Sequence, residues 1–100
     1  MGLARKAGRL QVGEQACRQA LSKGQAELII LAGDSSERTQ RVFRRLGGEF
    51  RVPVCLFTLK AELGRRLGRD QVAVAVVTDA ALARAVYQAT SGAGAEKTRG

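Results

Sequence analysis

With 100 residues and 10.7 kDa the chain has the size of one domain, and 45% hydrophobic residues with a single proline suffice for a core that needs no covalent staples. His and Trp are absent, which removes the commonest general base and metal ligand, so hydrolytic, metal-dependent and haem chemistry lose their usual residues and no enzyme is expected. Seventeen basic residues against nine acidic ones give a net charge of +8, and 13 of the 17 are arginine, whose planar fork suits phosphate, so the expected partner is a polyanion.

In chain order, a short strand is expected around Leu10 to Val12. From Gly13 to Lys23, residues Ala16, Cys17, Ala20 and Leu21 share one side and Gln15, Arg18, Gln19 and Ser22 the other, which predicts a helix closed by Gly24. The unbroken apolar run Leu28 to Ala32 reads as a strand covered on both faces. Asp34, Ser35 and Ser36 then offer an N-cap to a helix whose apolar stripe is Val42, Phe43, Leu46 and Phe50, with Gly47 and Gly48 loosening its far end.

A second strand is expected over Val54 to Phe57 after Pro53, which has no N–H to donate and fits a strand start. Leu59, Leu63 and Leu67 recur every four residues and mark a helix ending at Gly68. Val72 to Val77 reads as a third buried strand, and Thr78 or Asp79 caps a last helix with Leu82, Val86 and Tyr87 facing inward. Arg84 is that helix's one base, so its role is structural. Helices alternating with doubly buried strands imply an α/β fold, a helix/sheet/helix sandwich. Residues 1–90 are expected to form one domain, and residues 91–100, small and polar, a flexible C-terminal tail.

Residues 1–69 carry 14 basic and six acidic groups, residues 70–100 three of each, so the whole charge surplus lies in the first two-thirds. Cys17 and Cys55 have neither CxxC nor zinc-ligand spacing, and two thiols in a chain with an adequate core point to buried reduced cysteines and a cytoplasmic setting. The first ten residues hold no apolar secretory core, and no run approaches the roughly 20 apolar residues that span a bilayer, so no membrane partner is expected.

Few motifs suggest chemistry. Gly33 follows the first strong strand, but GDSSE is neither GxGxxG nor GxxxxGK[ST], so nucleotide binding and a cofactor are not expected. Asp34 and Asp79 sit where strands meet helices and fit capping better than acid catalysis; Ser35 and Ser36 have no His partner. Arg38, Arg41 and Arg45 recur on the outward face of the second long helix with Arg44 adjacent, equally suited to holding phosphates and to being a solvated face. Arg65, Arg66 and Arg69 flank the next helix end, where cations also complement the helix dipole.

The N-terminal approach is more informative. Arg5, Lys6 and Arg9 lead to Gly13 at the start of the first long helix, where backbone N–H groups can hold an anion and glycine lets a backbone come close. Gln15, Arg18 and Gln19 project from the first turns, able to read base edges or phosphates. Glu14 can accept from a base amino group or complement the helix start.

Taken in order, Gly13-x-Gln15 with Gln19, the run Gly24-Gln25-Ala26-Glu27-Leu28-Ile29-Ile30-Leu31-Ala32, Asp34, Val52-Pro53-Val54, Glu62-Leu63-Gly64-x-x-Leu67-Gly68 and the Val/Ala strand resemble the ribosomal kink-turn-binding family of the L-seven-Ae type. The opening Gly2 to Leu10 and the pair Gly13-Glu14 resemble its small bacterial YlxQ-like branch, and the likeness spans residues 2 to about 90. The resemblance implies a three-layer α/β/α sandwich with a four-stranded mixed sheet, no catalysis, and binding of RNA that bends at a bulge beside sheared G·A pairs. In the family the helix start reads Gly-x-Asn-Glu-x-x-Lys. Gly13 matches, whereas Gln15, Ala16 and Gln19 replace Asn, Glu and Lys. The family's second contact, a loop before the last strand whose apolar groups cover an extruded nucleotide, corresponds to Arg69-Asp70-Gln71-Val72.

The leading expectation is a monomeric, non-enzymatic protein that binds structured RNA, with ribosomal RNA or the ribosome suggested by the resemblance. Its contacts would be Gly13, Glu14, Gln15, Arg18 and Gln19 with Arg69, Gln71 and Val72, backed by Arg5, Lys6 and Arg9. The alternative is a protein–protein interaction module of a ribonucleoprotein that turns the Arg38/Arg41/Arg45 face to an acidic protein. A small α/β enzyme has the least support.

Overall fold

The structure is a computed structural model and describes residues 9–57 and 59–88. Its elements are β1 (Leu10–Val12), α1 (Glu14–Ser22), β2 (Leu28–Leu31), α2 (Glu37–Phe50), β3 (Val54–Leu56), α3 (Lys60–Arg66), β4 (Val74–Val77) and α4 (described over 80–88). The four strands form one mixed sheet in the order β1-β4-β2-β3. β4 is antiparallel to both β1 and β2, pairing Val12 with Ala75 and Leu31 with Val74, and β3 runs parallel to β2.

The two central strands, β2 and β4, are the two uninterrupted apolar runs, and every residue in them is buried. Alternate side chains go to opposite faces. On one, Ile29, Leu31, Val74 and Val76 meet Cys17, Ala20 and Leu21 of α1 and Phe43 of α2. On the other, Leu28, Ile30, Ala75 and Val77 meet Leu63 of α3 and Ala83 of α4. The result is the three-layer α/β/α sandwich, with α1 and α2 on one side and α3 and α4 on the other.

Most local signals are met. α1 ends at Ser22 with Lys23 as its C-cap, and beyond Gly24 the Gln25 N–H reaches back to the Ala20 carbonyl at 2.9 Å. Ser36 caps α2, its Oγ accepting from the Thr39 N–H at 3.0 Å, and Asp79 caps α4 by accepting from the Leu82 N–H at 2.8 Å. Asp34 caps a different helix from the one it precedes: its Oδ1 accepts from the Lys60 N–H at 2.7 Å, tying the start of α3 to the end of β2.

Several expectations are corrected. Gly47 and Gly48 do not loosen α2, which continues to Phe50; Gly47 is buried where a Cβ would stand 2.6 Å from Val54 Cγ2 and 2.8 Å from the Val52 carbonyl oxygen, so the helix lies directly on the strand that follows it. Phe50, Leu59 and Tyr87, expected inward, are exposed. Leu59 sits at the N-cap, ahead of the turn whose stripe is buried, so its periodicity with Leu63 does not carry it inside. The strands are also shorter than their apolar runs: Val72 and Phe57 lie outside the ladders yet still pack on the core. The tail, residues 91–100, lies outside the described residues.

No disulfide links Cys17 and Cys55, and Cys17 is buried. Its thiol, which donates to the Gln11 carbonyl at 3.6 Å, is pushed up to about 12 by burial and secondarily by the negative charge of Glu14, so it stays protonated and unreactive at neutral pH. Among the described residues no helix is long and apolar enough to cross a membrane.

Candidate nucleic-acid interface

The sheet order gathers one set of loops at a single end. β1, β2 and β3 finish there and β4 begins there, so the starts of α1, α2 and α3 and the loop before β4 are neighbours. Three hydrogen bonds lock them: Gly13 N–H to the Val74 carbonyl at 3.1 Å, Ala32 N–H to the Ala73 carbonyl at 2.9 Å, and Val72 N–H to the Lys60 carbonyl at 3.0 Å. The two stretches expected to meet a ligand, Gly13 to Gln19 and Arg69 to Val72, are thereby brought together from opposite halves of the chain.

The start of α1 differs chemically from the others. Ser36, Asp34 and Asp79 supply acceptors to the first turns of α2, α3 and α4, whereas among the described residues no side chain caps α1. Its first-turn N–H groups therefore receive no side-chain acceptor among the described residues, with the positive end of the helix dipole behind them. Gly13 has φ 101 and ψ 154, a region populated almost only by glycine, and a Cβ there would meet nothing within 4 Å. The glycine is required by the backbone rather than by crowding. Gly13→Ala should lower stability by about 1–3 kcal/mol, read from urea unfolding; an unchanged midpoint would show that the helix start relaxes without strain.

Gln15, Arg18 and Gln19 are exposed along the outer face of α1. Glu14 accepts from two guanidinium groups, Arg18 Nη2 at 3.4 Å and Arg38 Nη2 at 3.3 Å. Arg38 belongs to the first turn of α2, so the carboxylate gathers arginines from two helices beside the uncapped start. Sequence reasoning placed Arg38 on a separate face. The signal that could have found it is that Glu14 and Arg38 both occupy first turns of helices that start at one end of the sheet.

Around the second loop, Gly64 is buried where a Cβ would come within 2.7 Å of the Asp70 carbonyl oxygen and 2.8 Å of Gln71 Cα, so α3 and the loop are in direct backbone contact. The Arg69 N–H closes on the Gly64 carbonyl at 2.7 Å. Arg69, Asp70 and Gln71 are exposed. Val72 is not: at 3% exposure it packs among Leu28, Leu63 and Ala75, so its side chain is part of the core and does not face a ligand. Arg65 and Arg66 both pair with Glu62, and Arg66 also lies over the Phe57 ring at 5.4 Å, leaving Arg69 as the arginine this loop presents.

Not every expected residue joins the cluster. Arg9 is exposed, but its carbonyl accepts from the Thr78 N–H at 2.7 Å at the other end of β4, roughly 13 Å along the strand from Gly13. Arg5 and Lys6 lie outside the described residues. Ser35 and Ser36 are used locally: Ser35 Oγ donates to the Ala32 carbonyl at 2.6 Å and Ser36 Oγ to Thr39 Oγ1 at 2.9 Å.

The chain is similar to known proteins over most of its length. The chain is 29% identical over 79 residues to the RNA-binding protein YlxQ of Bacillus subtilis (strain 168), covering 79% of each. A solved structure described as that of a protein with unknown function from Bacillus halodurans C superposes with a TM-score of 0.77 at 32% identity, over 83% of this chain and 84% of that one. The model of the ribosomal protein L7Ae/L30e/S12e/Gadd45 family matches residues 1–87. On a match across most of its length, with the sandwich and helix start just described, the chain belongs to the ribosomal protein L7Ae/L30e/S12e/Gadd45 family.

Proposed function

We propose that the protein is a non-enzymatic RNA-binding protein that docks bulged, structured RNA on the end of the sheet where α1 begins, with ribosomal RNA as its setting. The observation that carries this is the uncapped α1 start at Gly13, bordered by Arg18 and Arg38 and by the Arg69 to Gln71 loop. An anion arriving there meets open N–H groups and guanidinium forks at once. Gln15 and Gln19 present amides that can pair with base edges in an unstacked bulge, a form of RNA that proteins read more readily than the narrow, deep major groove of a regular duplex. The family and the similarity to a protein named for RNA binding support the same partner.

The test is a binding titration against two RNAs of equal length, one with a three-nucleotide bulge beside tandem G·A pairs and one fully paired. The bulged RNA should bind more tightly, and log affinity should fall with log salt at about 0.7 to 0.9 per neutralised phosphate. Equal binding to the two RNAs, or a flat salt response, would refute docking through this end. Because Gln15, Ala16 and Gln19 stand where the family has Asn, Glu and Lys, replacing only the G·A pairs by Watson–Crick pairs should weaken binding less than removing the bulge.

A further inference from the structure

The arginines of α2 beyond Arg38 take no part in that site. Arg38, Arg41 and Arg45 lie within roughly 60° of one another around the helix axis, at about 100° per residue, and Arg44 stands beside them. All four are exposed. The opposite side, Thr39, Phe43 and Gly47, is buried, so the row faces solvent. Between residues 37 and 51 five arginines face two glutamates, Glu37 and Glu49.

Little in the fold neutralises this row. Arg41 approaches Glu37 only to 4.0 Å, with side chains 72% and 91% exposed, a pair that contributes almost nothing in water. Arg44 and Arg45 form no ion pair among the described residues. Like charges three and four residues apart weaken a helix by a few tenths of a kcal/mol each, about 0.2–0.5, so the row does not serve the helix. Gly48 follows one turn beyond Arg44 and Arg45, at the C-terminal end of the row, and a Cβ there would meet nothing within 4 Å.

The row is also continuous with the proposed site. Arg38 is its first member and is held at 3.3 Å by Glu14, at the start of α1. From Arg38 to Arg45 the helix rises about 10.5 Å, long enough to face more than one backbone phosphate of a stem. We propose that this row is a second docking surface on the same RNA: it holds the phosphates of a stem flanking the bulge while the start of α1 meets the bulge itself. The inference rests on the RNA reading above. Arginine forks, continuity with that site and a contact that needs no base readout favour a nucleic-acid stem over an acidic protein.

The experiment uses the full chain, wild type and an Arg41→Gln/Arg45→Gln double variant, with two bulged RNAs, one whose stems have about ten base pairs and one whose flanking stem is cut to about three. On the long-stem RNA the variant should bind about tenfold more weakly, with a salt slope shallower by about 1–2. On the short-stem RNA the two proteins should bind alike. Both positions are exposed, so thermal unfolding should be unchanged. Equal affinity of both proteins for the long-stem RNA overturns the second surface and leaves the α1 site standing. Equal weakening on both RNAs overturns it as well, because the effect is then general charge. Polyglutamate retention lost in the variant while RNA affinity is kept assigns the row to an acidic protein instead. Failure of the wild type to bind either RNA overturns both readings together.

Discussion

Gly47→Ala should lower the melting temperature by roughly 15 °C, whereas Gly48→Ala, one residue further on, should raise it by a few degrees. At Gly47 the added methyl would lie 2.6 Å from Val54 Cγ2 and 2.8 Å from the Val52 carbonyl oxygen. The methyl could turn aside, but the carbonyl is backbone, so α2 and β3 must separate. Overpacking of this kind costs about 1–3 kcal/mol, here at the upper end because the helix also carries Phe43 into the core beside it. Gly48 has open space around its missing Cβ, and replacing a helical glycine there removes backbone entropy from the unfolded chain for a gain of about 0.5–1 kcal/mol. Paired thermal scans check this; similar shifts at the two positions would mean that α2 does not lie on β3 as described.

Arg18→Glu should abolish RNA retention while leaving the fold intact, and Glu14→Gln should act in the opposite direction. The reversal replaces a guanidinium beside the open helix start by a second carboxylate, four residues from Glu14. Within the helix that like-charge pair costs only about 0.2–0.5 kcal/mol, so unfolding changes little. Binding loses one phosphate contact and gains a repulsion in its place, which should exceed tenfold at moderate salt and reduce the salt slope by about 1. Glu14→Gln releases Arg18 and Arg38 from their shared partner and adds a net positive charge, so affinity should rise a few-fold, consistent with a slope of about 0.9 per contact. Weaker binding by Glu14→Gln would instead show that the carboxylate accepts from a base amino group. Arg18→Glu binding like wild type would move the RNA away from α1 altogether.

Much of the fold is legible because its signals are local. The runs Leu28 to Ala32 and Val72 to Val77 announce the two central strands, since only strands buried on both faces are apolar at every position. Ser36 and Asp79 behave as caps because a cap acts on N–H groups two or three residues away. Periodicity alone failed at Leu59 and Phe50, both at helix ends, where the spacing continues although the covering layer stops, and at Tyr87, which is exposed. At Val72 the apolar run pointed to the core, which does take it up, and it was the family's second contact that had it facing a ligand.

Composition and spacing determined by themselves that the chain is basic, has few candidates for catalysis, alternates helices with buried strands and begins its first long helix at a glycine followed by amides and an arginine. Only the tertiary structure decided which of those features meet. Glu14 and Arg38 are 24 residues apart, and Asp34 and Lys60 are 26 apart; each pair is joined because the sheet sends β1, β2 and β3 to one end. The same order carries Arg9 away to the opposite end of β4. Charges and caps act over a few ångströms, while the strand order that sets those ångströms is a property of the whole chain.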